Sequence, residues 1–423
     1  MLSAWGRFLR GIINVSIIKE CVPLPDLSTS TFILPPDAQM SADQQQLTAQ
    51  ILAFTTAHLH DATSAVFVLT GDAGSGKSAA LAHAFTQVQA AARSKAPGEL
   101  VGTDNYLLVN HNEMLKVYKE VAAATSALRV KDFMKPTPFI NGMRKRGHKA
   151  DVVFIDEAHL LLSQSDPFNK FTGDNQLDGI LQLARVVVLV FDPQQVVKLK
   201  SHWDPHMLQR HLRGHAVAEF NLDGQMRVQD AQVSEWINRL VQGRLTALPQ
   251  PTEFELRVFA DGQPLYDWVQ ARDRMFGLSR LIATSDFPFR VYTDQKWFVH
   301  AGSLTLPWDK INFTDRPWAG RPETVHEVGS IYTIQGFDLN YAGVILGPSV
   351  DYDAASDRII VHPDSFEDTE AFRKHPGLPD PDAAKDAIIL HTMNILLKRG
   401  RKGLGIYAVR PALWQRLLEL SRR

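Results

Sequence analysis

A single cysteine, Cys21, stands in 423 residues, so no intrachain disulfide can form and the composition suits a reducing compartment. No run of about 18 or more apolar residues occurs, which leaves the chain without a hydrophobic segment long enough to span a bilayer as a helix. Neither sign of charge prevails. Forty-five lysines and arginines meet 46 aspartates and glutamates, so any grip on a polyanion must come from local patches. No internal repeat with a period of about 20–50 residues is present, which argues against a solenoid or propeller. His202, His206, His211 and His215 recur at short intervals, but Pro205 interrupts them and no cysteine or paired carboxylate completes a tetrahedral set. The opening segment lacks a small-residue cleavage site after its short apolar stretch, and reads as a docked arm or first strand. The expected location is the cytoplasm, with no membrane partner.

What is present is concentrated in two short stretches. Gly71-Asp72-Ala73-Gly74-Ser75-Gly76-Lys77-Ser78 follows an apolar run and has the spacing of a phosphate loop. Glycines let backbone N–H groups close around phosphate oxygens. A helix starting at Lys77 would present its positive end to the same oxygens. Lys77 is placed to reach the β- and γ-phosphates, and Ser78 to hold Mg²⁺. The second stretch, Asp156-Glu157-Ala158-His159, ends another apolar run. There Asp156 would fix the metal, and Glu157 would orient the attacking water. Together the two halves specify a site that binds and hydrolyses a nucleoside triphosphate with Mg²⁺.

The chain length predicts two or three domains. Apolar segments at 66–70, 106–109, 152–155 and 186–191 alternate with amphipathic helical text, which is βαβ grammar and predicts a parallel sheet flanked by helices. Further strands are expected at 280–284, 331–333, 343–346 and 405–409. The organisation read from this is an extension over 1–40, a nucleotide-binding unit over 41–215 and a second unit over 216–423. Within the latter, 348–386 is rich in Asp, Pro and Ser and reads as a surface insertion.

Several lesser features take either of two readings. Gln44, three residues after Ser41, is a helix-start glutamine or a reader of an adenine edge. Asn110 and His111 follow a strand, where polar residues line either a ligand crevice or a plain loop. Gln195, after Asp192-Pro193-Gln194, is placed to sense a γ-phosphate, and Arg227, in Gln225-Met226-Arg227, to reach phosphate across a cleft. Thr333 and Gln335, in Thr333-Ile334-Gln335-Gly336, would offer polar contacts at a cleft. Arg399, within Lys398-Arg399-Gly400-Arg401-Lys402-Gly403, is either a transition-state arginine or part of a basic turn. The patch Arg144-Lys145-Arg146, with His148 and Lys149, is either a contact for phosphates or a solvated loop before the strand at Val152. Trp308 and Trp318, in Pro- and Gly-containing loops, are candidate base-stacking platforms.

In order, these stretches resemble the motifs of superfamily 1 helicases. The run 328–338, with Arg399-Gly400-Arg401-Lys402-Gly403, narrows the resemblance to the bacterial branch similar to the Schlafen group III DNA/RNA helicase domain. The resemblance spans about 40–412 and implies two RecA-like P-loop NTPase domains with ATP between them. It assigns Lys77, Ser78, Asp156 and Glu157 to ATP and Mg²⁺, and Gln195, Arg227 and Arg399 to the γ-phosphate. Gln44 is assigned to adenine; Asn110, His111, Thr333 and Gln335 would lie near a single strand of DNA or RNA. The chain departs from the pattern at Lys398, where threonine is usual, and at Phe191, where glycine is usual. Two functions are expected in competition. One is an ATP-driven helicase or translocase. The other is an ATP-hydrolysing switch or sensor, for example in phage defence, that recruits a partner without unwinding; a nuclease or other protein partner supplied in trans is a separate third reading.

Overall fold

The computed structural model describes residues 40–71, 74–222, 228, 230–251, 253–291, 295–373, 378 and 380–422. The opening segment, Asp72, Ala73 and Gln225-Met226-Arg227 therefore lie outside the described residues.

The apolar runs form strands, as their β-branched composition dictates. The first sheet contains β1 (Ala65–Thr70), β2 (Asn105–Val109), β3 (Phe133–Met134), β4 (Ala150–Asp156), β5 (Ala184–Val190) and β6 (Ala216–Asn221), in the order β3-β2-β4-β5-β1-β6. Every pairing in it is parallel. Helices α1 (Ala42–His58), α2 (Lys77–Ala92), α3 (Asn112–Ala124), α4 (Pro136–Arg146), α5 (Gln176–Leu181) and α6 (Pro205–His211) accompany it. Buried on both faces, β1, β4 and β5 read as continuous hydrophobic text rather than alternation.

The second sheet has the order β7-β15-β12-β8-β11-β10-β9. Its strands are β7 (Glu255–Val258), β8 (Ser279–Ala283), β9 (Phe298–Ala301), β10 (Leu304–Asp309), β11 (Val328–Gly329), β12 (Leu339–Leu346) and β15 (Gly400–Ala408). All pairings are parallel except the β9–β10 hairpin. Helices α7 (Ala231–Val241), α8 (Gly262–Phe276), α9 (Ile331–Ile334), α10 (Pro381–Leu397) and α11 (Pro411–Ser421) belong to this half. The expected α/β class, with mainly parallel sheets and flanking helices, is what is observed. One apolar cluster contains Phe67, Phe85 and Phe154 from the first half and Trp318, Ile334 and Val344 from the second, so the halves share a core. Among the described residues no helix is long and apolar enough to cross a membrane.

Four sequence expectations are corrected. The segment just after the boundary at 215 is β6, which pairs along the whole of β1; the first unit therefore runs through Asn221. The strand expected at 331–333 is the one-turn helix α9, because the Ser330 and Thr333 side chains cap its start reciprocally. The strand there is instead β11, two residues earlier, between β8 and β10. The insertion at 348–386 is not a surface loop throughout. It holds the antiparallel hairpin β13 (Val350–Asp353) with β14 (Arg358–Val361), buries Val350, Phe366 and Ala371, and runs into α10. Finally, Trp308 and Trp318 are core side chains, 3% and 0% exposed, and not stacking platforms.

Candidate nucleotide site and interdomain cavity

The carboxyl ends of β1, β4 and β5 converge beside the start of α2, the position where open parallel sheets hold ligands. Gly76 caps α2 in the left-handed region, φ 84°, which glycine adopts without a Cβ penalty. Gly71 admits no side chain either: a Cβ there would stand 2.4 Å from the Leu222 carbonyl oxygen.

Around this turn the expected residues meet. Lys77 Nζ donates to the Gly71 carbonyl at 2.6 Å and lies 3.6 Å from Asp192 Oδ2. Ser78 Oγ donates to Asp156 Oδ1 at 3.0 Å, and the Glu157 backbone N–H donates to the same oxygen at 3.0 Å. The Tyr118 hydroxyl donates to Asp156 Oδ2 at 2.5 Å. Burial, with the charge of Glu157 beside it, pushes the Asp156 carboxyl up to about 7. A buried carboxylate facing a serine hydroxyl is a donor set that suits a hard divalent cation, whose charge would reverse that shift. Glu157 sits in the left-handed region at φ 54°, and its Oε2 is 3.1 Å from His159 Nε2. Burial holds the His159 imidazole down to about 4, so at neutral pH the ring is neutral and this close approach is not an ion pair. Gln195 Nε2 donates to Asp192 Oδ2 at 2.7 Å, which links the end of β5 to the carboxylate beside Lys77.

A second group lines a cavity of about 530 Å³ between the two halves. Asn110 and His111, after β2, face Gln335, before β12. Asn110 Nδ2 donates to the Leu160 carbonyl at 2.7 Å. Burial, and then the charges of Lys198, Lys135 and Arg399, hold His111 down to about 3, so its ring is neutral in a basic setting. Arg399 itself is buried and donates from Nη1 to the Phe337 carbonyl at 3.1 Å.

Two expected residues have other work. The Thr333 hydroxyl, fully buried, accepts from the Ser330 N–H at 2.8 Å and donates to the Ser330 carbonyl. It shapes the turn that carries Gln335. Gln44 Oε1 accepts from the Ser41 N–H at 3.0 Å, so it caps α1 reciprocally with Ser41. Gly74 and Ser75 continue the loop, and Asp72, Ala73 and Arg227 lie outside the described residues.

Sequence reasoning missed Tyr118, Lys198, Lys310, Tyr332 and Asp368. Tyr118 lies on the face of α3 that also buries Met114 and Val117, and reads as a core aromatic. Its partner is 38 positions away, so no local spacing announces the hydroxyl's role.

Comparison with known proteins shows the family of the chain. Residues 64–410 match the family described as Schlafen group 3, DNA/RNA helicase domain. The Saccharomyces cerevisiae protein YPL245W, itself uncharacterized, is 35% identical over 450 aligned residues, covering 97% of this chain and 98% of its own length. Among solved structures, the Pif1 helicase from Candida albicans is similar at 11% identity with a TM-score of 0.36, covering 88% of this chain and 95% of its own. The Bacteroides Pif1 helicase, solved with ADP-AlF3 and ssDNA, is similar at 12% identity and a TM-score of 0.32, covering 87% and 92%. On the family match and the near-full-length fungal relative, the chain belongs to the Schlafen group 3 DNA/RNA helicase domain family.

Proposed function

We propose that this helicase-family chain is an ATPase that moves along, or remodels, single-stranded DNA or RNA. The observation that carries the reading is the cluster at the carboxyl ends of β1, β4 and β5, in which Lys77, Ser78, Asp156, Glu157 and Gln195 are joined by direct contacts or through Asp192. When bound, Mg²⁺ would supply charge neutralisation for the phosphates. Ser78 and Asp156 would hold the metal; Lys77 would leave the Gly71 carbonyl for the β- and γ-phosphates. Glu157, beside the neutral His159 ring, orients water for in-line attack and takes up its proton. Gln195 exchanges its bond to Asp192 for the γ-phosphate and so reports its loss. Arg399 and Arg227 neutralise charge from the second half, and Gln44 would have to give up its bond to the Ser41 N–H to contact the base. Asn110, His111 and Gln335 contact the strand, with Thr333 fixing the turn beneath Gln335. A cytoplasmic site of action and a nuclease partner in trans complete the reading.

The test is ATP hydrolysis by the wild type and Glu157→Gln, with and without single-stranded DNA and RNA oligonucleotides. Strong stimulation by one polymer, lost in the variant, is expected. The second reading is a nucleotide-driven switch without unwinding, favoured by the insertion segment 367–370 seated at the cavity. It predicts slow hydrolysis indifferent to polymer, a result that would sink the motor.

A further inference from the structure

The interdomain cavity is basic on one side and already contains an anion from the chain itself. Lys198, just beyond β5, and Lys310, just beyond β10, come from different halves and converge on Tyr332. Lys198 Nζ lies 4.2 Å above the Tyr332 ring and Lys310 Nζ 6.0 Å from it, within reach of a cation–π interaction. Asp368, from the insertion, is 3% exposed. Its Oδ1 lies 3.3 Å from Lys310 Nζ, and its Oδ2 accepts a short hydrogen bond from the Tyr332 hydroxyl. A backbone bond from Leu199 N–H to the Ala371 carbonyl at 2.8 Å fastens the segment bearing it to the first half.

Two further lining groups are set for a ligand. Gln335 Nε2 and His111 Nδ1 are buried polar atoms without a hydrogen-bond partner among the described residues, and both residues line the cavity. Orphaned buried donors are costly in a folded protein unless something else satisfies them. The lysines point the same way. Burial first, and then the charges of Lys200 and Lys310, hold the Lys198 ammonium down to about 8, and Asp368 and Glu370 offset this only in part. Lys135 and Lys200 add basic charge to the same wall, although Lys200 is paired with Asp166 at 3.0 Å.

We infer that Lys198, Lys310 and Tyr332 form the seat for one backbone phosphate of a single strand, and that Asp368 occupies this seat as a competing anion until the strand displaces it. The inference rests on the strand-binding reading above and adds its anchoring residues and its regulation. On entry of a strand, a phosphate oxygen replaces the Asp368 carboxylate at Lys310 and Lys198, the Tyr332 hydroxyl donates to phosphate, and Gln335 and His111 gain polar partners. The carboxylate moves out toward solvent, while the Leu199–Ala371 and Glu367–Ser285 backbone bonds tether its segment on either side. The insertion thereby sets how much of the protein is competent to bind.

The experiment measures fluorescence anisotropy of labelled single-stranded DNA and RNA oligonucleotides against full-length wild type, Asp368→Asn and Lys310→Gln, over a range of salt. Both substitutions break the same ion pair, so a merely structural pair predicts the same direction of change in each. The phosphate seat predicts opposite directions. Asp368→Asn should tighten binding by about fivefold or more, because the competing state is lost. Lys310→Gln should weaken it and flatten the dependence on salt by about one unit of log–log slope, as for one lost phosphate contact. Thermal melting of each variant checks that both are folded, and Lys198→Gln repeats the test from the other half. Wild-type binding with the Asp368→Asn and Lys310→Gln variants shifted alike, or not at all, would overturn the seat while leaving strand binding intact. No binding by any variant, Asp368→Asn included, would overturn both.

Discussion

Glu113, on α3 of the first half, accepts a hydrogen bond through Oε2 from the backbone N–H of Trp318 at 2.8 Å, across 205 positions of chain. The same oxygen accepts from Asn312 Nδ2 at 2.9 Å, while Oε1 receives Lys116 Nζ at 2.5 Å. One buried carboxylate thus ties the loop that carries His111 to the second half. Removing it strands two buried donors and a lysine, so Glu113→Ala should destabilise the protein by about 2–4 kcal/mol in urea denaturation. Glu113→Gln keeps one acceptor and should cost less. Equal stability of Glu113→Ala and wild type would deny the tie.

Tyr118 is the corresponding contact inside the first half. Its hydroxyl helps hold Asp156 opposite Ser78. Tyr118→Phe deletes one hydrogen bond and leaves the ring packed against Phe133. Mg²⁺-dependent ATP affinity by calorimetry should fall by about three- to tenfold, in keeping with roughly 1 kcal/mol for one such bond. ATP binding measured without the metal should be unchanged; a matching loss there would show that the tyrosine acts on the loop rather than on the carboxylate.

Glu157→Gln separates binding from chemistry. The substitution preserves the shape of the side chain beside His159 but removes the base. Hydrolysis should fall by about 10²–10⁴-fold while nucleotide affinity is kept. Single-turnover hydrolysis together with equilibrium binding of ATP distinguishes this from Lys77→Ala, which should lose affinity itself.

The depressed Lys198 gives a pH dependence with opposite signs in two measurements. Its folded value is about 8, below the ordinary 10.5, so above about 8 the folded protein releases a proton that the unfolded chain keeps. Stability without ligand should therefore gain a contribution as pH rises from 8 toward 10.5, while oligonucleotide affinity falls as the ammonium loses its charge. Lys135, Lys200, Lys310, Asp368 and Glu370 face the same cavity. Lys135 is also lowered by burial and adds to the loss of affinity, whereas His111 is neutral throughout this range. Lys198→Arg should remove most of the dependence, as read by anisotropy and by chemical denaturation at each pH; an unchanged profile would exclude Lys198 as its source.

Local chemistry made much of this legible in the sequence. The phosphate loop, the Asp156-Glu157 pair and Gln195 are recognisable because each depends on residues close together in the chain. The strands announce themselves because burial on both faces forces continuous apolar text. The same locality misleads at 331–334, where β-branched side chains suggest a strand and the Ser330–Thr333 cap makes a helical turn instead. It misleads again at β6, whose alternating burial carries no mark that its partner is β1.

Only the tertiary structure decided what faces the cavity. Tyr118 meets Asp156 across 38 positions, Tyr332 meets Asp368 across 36, and Glu113 meets Trp318 across 205. No periodicity joins such pairs, because each is fixed by how two sheets and an insertion pack together. The sequence determined most of the residues that gather at the carboxyl ends of β1, β4 and β5, because each lies in a short local motif. Packing determined that Asp368 lies buried against Lys310 and Tyr332, because a buried carboxylate is stable only where cations and donors from elsewhere in the fold surround it.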